Sequence, residues 1–133
     1  MSCKDQIQDS LKRKMNDLKK LWAAYCSGEE EVEDLGTFCE YGLCFDYVPQ
    51  GTFTDQKKAY FRYQISWGGP SEEFRFYVNP DLSVYKIEFW FLDWNDGASL
   101  ELQGENYKLM VEIYTFFKDC GICQAEYNKA MER

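Results

Sequence analysis

The sequence predicts one α+β domain, built from an N-terminal helix, a four-stranded antiparallel meander and two C-terminal helices packed on the sheet. Two observations predict this order. Apolar residues recur every three or four positions near both ends of the chain, and at every second position between them. The chain has 133 residues, which is the size of one ordinary domain, and no compositional break divides it. We therefore expect a single domain over residues 1–133.

The first predicted element is a basic amphipathic helix within residues 1–27. Its apolar stripe consists of Ile7, Leu11, Met15, Leu18, Trp22 and Tyr25. Ser27 and Gly28 supply a stop signal. The helix region carries six basic and three acidic side chains, whereas the whole chain has a net charge of −8. The sequence thus predicts a basic helix on an acidic body, and such a charged stripe is most often a solvated helix face.

The sheet is predicted within residues 37–102. Alternation of apolar and polar residues marks strands at 41–48, 59–67, 73–78 and 84–92, and turn sequences separate them. After Asn95-Asp96-Gly97, residues 99–102 could add a short strand. Short turns between consecutive strands favour an antiparallel meander, and its apolar face must be covered.

Two helices are predicted within residues 105–132. The segment 105–118 carries two apolar stripes, so we expect this helix to be buried on more than one side. Gly121 ends or interrupts it, and residues 122–132 form a shorter and more polar helix.

The composition favours a binding protein of the cytoplasm. The first residues lack the apolar segment and cleavage site of a signal peptide, and no stretch reaches the ~20 apolar residues of a membrane span. Histidine is absent from the chain, which excludes Ser-His-Asp and Cys-His catalysis and the zinc sites that contain histidine. We expect no catalytic residue, no cofactor and no membrane partner, and either a monomer or a homodimer.

The cysteines leave a metal or redox site open. Cys39, Cys44, Cys120 and Cys123 could offer four thiolates to zinc, and the 120–123 segment has the spacing of a redox motif. The first pair sits on or beside a strand, where the two side chains point to opposite faces. The second pair follows a helix near its C-terminal end, where the dipole disfavours a thiolate. Structural thiols are the favoured interpretation, and a thiol- or carboxylate-dependent enzyme is the least favoured class.

Two surfaces are candidates for binding a partner. An acidic surface could imitate the phosphates of a nucleic acid and occupy a basic groove; its residues are Glu29, Glu30, Glu31, Glu33, Asp34, Glu72, Glu73, Asp93 and Asp96. The polar face of the sheet would present aromatic residues beside arginines, a composition typical of interface hot spots; its residues are Tyr60, Arg62, Tyr77 and Trp90. Alternatively, another element such as the C-terminal helix covers this face. The net charge disfavours direct contact with nucleic acid.

Two segments carry a resemblance to known proteins. Residues 60–76, YFRYQISWGGPSEEFRF, and residues 93–98, DWNDGA, resemble small acidic proteins encoded by phages and other mobile elements. The resemblance covers less than half of the chain and assigns no residue a role. It implies an inhibitor of the anti-CRISPR or anti-restriction kind, which docks on a nucleic-acid-handling effector of the host. We therefore expect a non-catalytic inhibitor, and the alternative is a protein-interaction module that uses the aromatic sheet face.

Overall fold

The computed structural model describes residues 3–29, 31–53, 56–68, 70–93 and 96–132. Its helices are α1 (Cys3–Cys26), the single-turn α2 (Phe38–Tyr41), α3 (Gly104–Asp119) and α4 (Ile122–Met131). Its strands are β1 (Cys44–Val48), β2 (Tyr60–Ser66), β3 (Ser71–Val78), β4 (Val84–Asp93) and β5 (Asp96–Glu101). They form one antiparallel sheet in the order β1-β2-β3-β4-β5, which confirms the predicted α+β meander. Of the described helices, none is both long and apolar enough to span a bilayer.

The sheet has five strands, so the predicted count of four is wrong. β5 pairs with β4 from Glu101 opposite Glu88 to Asp96 opposite Asp93. Its sequence shows little strand propensity, because it begins with aspartate and glycine and only Ala98 and Leu100 pack against the core. Of the predicted Asn95–Gly97 turn, Asn95 lies outside the described residues.

The first strand also begins later than predicted. Residues 38–41, which the alternation placed partly in a strand, form helix α2 instead. Thr37 caps this turn, since its side-chain oxygen accepts a hydrogen bond from the Glu40 backbone amide. β1 therefore starts at Cys44.

One face of the sheet is apolar and covered by helices. The strand register sets Phe45, Tyr63, Phe74, Phe89 and Leu100 side by side in a row across all five strands. The α1 and α3 side chains that close over this face are fully buried; they are Leu18, Leu21, Met110, Ile113 and Tyr114. The helices thus pack on the apolar face, as their own stripes predict.

Polar contacts fix α1 on the sheet. Glu72 lies at the start of β3 and points to the covered face, where Ser10 and Ser66 donate hydrogen bonds to its carboxylate. The Lys14 ammonium lies 3.4 Å from the same carboxylate. At the first residue of α1, the Cys3 backbone amide donates a hydrogen bond to Asp96 at 2.8 Å. Glu72 therefore anchors the helix and is buried, contrary to its predicted place on an acidic surface.

Candidate functional site

The second face of the sheet is polar, and the helices contact the sheet on the opposite side. We call this polar face, which lies opposite the helices, the open face. Its central row runs across the five strands through Asp46, Arg62, Arg75, Glu88 and Glu101, and the flanking residues are Cys44, Gln64, Glu73, Trp90, Ser99, Tyr60, Tyr77 and Lys86. The C-terminal helix does not cover this face. Instead, α4 packs beside β1, where Tyr127 contacts Tyr47, a residue of the covered side.

Arg75 is held at the centre of the open face between two aromatic rings. Its guanidinium carbon lies 3.9 Å from the centroid of Trp90 and 4.7 Å from that of Tyr60. Its Nε donates to Glu73 at 2.7 Å. Glu73 is only 3% exposed, so this carboxylate neutralises Arg75 and does not belong to an exposed acidic surface. The Arg75 guanidinium is therefore already ordered on the open face by its contacts with the two rings and with Glu73.

Arg62 makes a second ordered pair in the central row. Its Nε and Nη2 donate to the two carboxylate oxygens of Asp46 at 3.0 and 2.8 Å. This two-point geometry is the strongest arrangement of an arginine and a carboxylate. The predicted binding residue Arg62 is thus fixed in orientation by its neighbour on β1.

Glu88 connects three other side chains of the open face. Its Oε1 accepts hydrogen bonds from Tyr77 Oη at 2.7 Å and Trp90 Nε1 at 3.0 Å, and the Lys86 ammonium lies 3.4 Å from Oε2. Desolvation alone would raise the pKa of Glu88, but these three partners together outweigh it and lower the pKa. The carboxylate therefore stays ionised and orients both aromatic rings.

The lowered pKa of Glu88 predicts a pH-dependent stability. Its stabilising contribution is fully present above its ordinary pKa of 4.5 and is lost as the pH falls through the lower pKa of the folded state. Glu88→Gln should cost about 1 kcal/mol at pH 7, and the difference from wild type should shrink below pH 4.5. Urea denaturation at several pH values measures this. Tyr77→Phe removes one donor and should behave intermediately, whereas an equal difference at pH 3 and pH 7 would contradict the assignment.

A loop closes one end of the open face into a cleft. The Gln56 side chain fixes this loop, since its Nε2 donates to the carbonyls of Pro49 and Lys58 and its Oε1 accepts from the Phe53 amide. The cleft between loop and sheet has a volume of about 420 Å³. It is lined by Phe53, Gln56, Lys57, Lys58, Tyr60, Arg75, Tyr77, Lys86, Glu88 and Trp90. The cleft could not be predicted from the sequence, because the loop residues follow neither the helical nor the strand period.

Two buried polar atoms on the open face have no hydrogen-bond partner among the described residues. They are the hydroxyl oxygen of Tyr60 and the amide nitrogen of Gln64. Both residues lie on β2 and point to the open face, four positions apart. Buried polar atoms are almost always paired in folded proteins, so these two mark a place where the fold leaves hydrogen bonds unmade.

The acidic residues that the sequence grouped together do not form one surface. Among the described residues of the run after α1, Glu29, Glu31, Glu33 and Asp34 are exposed, and Glu30 lies outside the described residues. Asp96 binds the first amide of α1, with Asp93 opposite it on β4. α1 has 24 residues, so about 36 Å separate these acids from the run at its other end.

All six cysteines are free thiols; Cys3 and Cys123 are buried, whereas Cys26, Cys39, Cys44 and Cys120 are exposed, so the interpretation as buried structural thiols fits only two of them. Cys123 lies in the first turn of α4, because Gly121 adopts a left-handed conformation and starts a new helix there. The expectation that the 120–123 motif sits at a helix C-terminus is therefore wrong for Cys123. Burial nevertheless raises the pKa of its thiol to about 11, so the thiol is protonated at neutral pH. Within the part of the chain that the structure describes, no group of three or more acidic or cysteine side chains is placed to hold a metal ion.

Comparison of this chain with protein-family models, with curated proteins and with solved structures finds no match.

Proposed function

We propose that this chain is a non-catalytic binding protein that docks on a partner protein with the open face of its sheet. The observation that carries the proposal is the pair of unpartnered buried atoms on β2, in Tyr60 and Gln64. An unsatisfied buried polar group costs about 1–3 kcal/mol. A docked chain that moves the covering side chains and bonds these atoms would recover part of that cost.

The chemistry of the open face supports the same function. Arginine, tyrosine and tryptophan dominate the binding energy of protein interfaces. Here Arg75, Tyr77 and Trp90 are already held in place by Glu73 and Glu88. Because these side chains are ordered before binding, they lose little conformational entropy on docking.

A second candidate function rests on the acidic run after α1. Its described acids, Glu29, Glu31, Glu33 and Asp34, are exposed, which favours attraction to a basic groove. In this alternative the protein is an inhibitor that mimics nucleic acid on a nucleic-acid-handling effector, as the resemblance implies. The separation of this run from Asp93 and Asp96 argues for a smaller contact than a mimic of an extended nucleic acid requires.

Capture from the native host separates the two candidates. Tagged wild-type protein and the Glu31→Lys, Glu33→Lys, Asp34→Lys variant are compared as baits. We expect both to retain the same partner, including in about 1 M salt, where charges are screened beyond about 3 Å. Loss of the partner from the charge-reversed bait, or from wild type at high salt, would favour the acidic run and contradict the proposal.

A further inference from the structure

We propose that the cleft between the loop and the open face binds a nucleoside monophosphate. This inference goes beyond protein docking, and it rests on three features of the cleft: its uncompensated charge, its unpartnered hydroxyl and its exposed ring.

The charge of the cleft suits a doubly charged anion. Four basic side chains and one carboxylate line it. Lys86 is paired with Glu88, and Arg75 is paired with Glu73. Lys57 and Lys58 are exposed and form no ion pair with a carboxylate of the described residues, although the Lys58 ammonium lies 5.6 Å from the centroid of the Tyr85 ring. Two positive charges thus remain in a chain whose net charge is −8, and a phosphate monoester carries a charge near −2 at neutral pH.

The hydroxyl of Tyr60 is a buried donor without a partner among the described residues. Tyr60 lines the cleft and is 1% exposed. Burial raises the pKa of Tyr60, which keeps the hydroxyl protonated and able to donate. Because this oxygen has no accessible surface, a phosphate or ribose oxygen in the cleft would accept that bond once the side chains over Tyr60, such as Arg75, move aside.

The walls of the cleft suit a flat ring. The sheet contributes Tyr77 and Trp90, whose rings are already in contact with Lys86 and Arg75. The loop contributes Phe53, whose side chain is 49% exposed. A base can stack on such a ring, and this contact strengthens binding whichever base is present. The volume of about 420 Å³ lies within the range of small-molecule sites, and two cations without a carboxylate partner match one phosphate better than a polyphosphate.

Calorimetric titration of the full chain tests the ligand class. The probes are AMP, GMP, CMP and UMP, with the matching nucleosides and inorganic phosphate as separate arms. We expect at least one monophosphate to bind about tenfold or more tightly than both its nucleoside and inorganic phosphate. If inorganic phosphate bound as tightly as the monophosphates, the cleft would recognise charge alone, and the inference would be overturned. Dissociation constants weaker than about 1 mM for all four monophosphates would also overturn it.

Tyr60→Phe tests the role of the unpartnered hydroxyl. The substitution should weaken monophosphate binding about tenfold, because the bound anion loses a hydrogen bond. It should leave the stability of the free protein unchanged or raised, because no described residue bonds this oxygen. Unchanged affinity in Tyr60→Phe would contradict the proposed geometry.

Two double variants with the same change in charge test whether the monophosphate binds in the cleft. Lys57→Glu with Lys58→Glu should weaken binding by more than tenfold. Lys12→Glu with Arg13→Glu makes the same charge change on the exposed side of α1 and should have little effect. Equal losses in the two double variants would show a response to net charge and overturn the site. These titrations use no partner protein, so their failure leaves the proposed docking function separately testable.

Discussion

Replacing Trp90 by alanine is expected to weaken binding of the partner protein by about 30-fold or more. A hot-spot residue contributes at least about 2 kcal/mol on truncation, and each 1.4 kcal/mol is tenfold in affinity. Trp90 meets the conditions for such a residue. Its ring stacks on Arg75 at 3.9 Å and its Nε1 donates to Glu88 at 3.0 Å, so its loss also releases two neighbouring side chains. The affinity of the captured partner for the two proteins measures the effect.

Trp67 provides a matched control for Trp90. It follows β2, is 74% exposed, and lies outside the residues that form the open face. Trp67→Ala should therefore leave partner affinity within about threefold of wild type. If Trp67→Ala weakened binding as much as Trp90→Ala, the docking surface would have to be sought at the turn after β2. Circular dichroism of both variants checks that each is folded.

Phe76→Ala should lower the free energy of unfolding by about 3–5 kcal/mol. Phe76 is fully buried on the covered face, between Phe61 and Ile87 in the strand register. Its ring centroid lies 5.2 Å from that of Tyr114 on α3. The substitution opens a cavity between sheet and helix, and a loss of this size is a large part of the 5–15 kcal/mol that stabilises an ordinary domain.

Urea denaturation measures this loss, and Phe53→Ala is the control. Phe53 has the same side chain but is half exposed in the loop, so its truncation should cost about 1 kcal/mol or less. Similar losses at Phe76 and Phe53 would contradict the assignment of the covered and open faces.

The sequence predicted most elements of this fold because most of them have strong periodicity. The bounds of α1 agree with the prediction, since a stripe of six apolar residues over about five turns allows few alternative placements of the helix. Strand alternation likewise places Tyr60, Arg62, Tyr77 and Trp90 on one face, as observed. β5 lacks such a pattern, and its pairing depends on β4 rather than on its own residues.

The details of the candidate site depend on contacts between distant residues. Glu72 and Glu73 lie next to each other in sequence, but β3 turns one towards Ser10 and Lys14 of α1 and the other towards Arg75. Neither of these two sets of contacts can be predicted from a pair of glutamates near a turn. The cleft depends on how Gln56 folds its loop over the sheet, which is a matter of specific hydrogen bonds and not of composition.

Site-specific photo-crosslinking is the direct test of whether the open face is the docking surface. A photoreactive residue is placed at Ser99, which is exposed and lies opposite Trp90 in the register, so that Trp90 and Arg75 stay intact. A second protein carries it at Glu33, in the exposed acidic run. If the open face is the docking surface, cross-links to the captured partner form from position 99 and none form from position 33. Cross-links from position 33 alone would contradict this assignment.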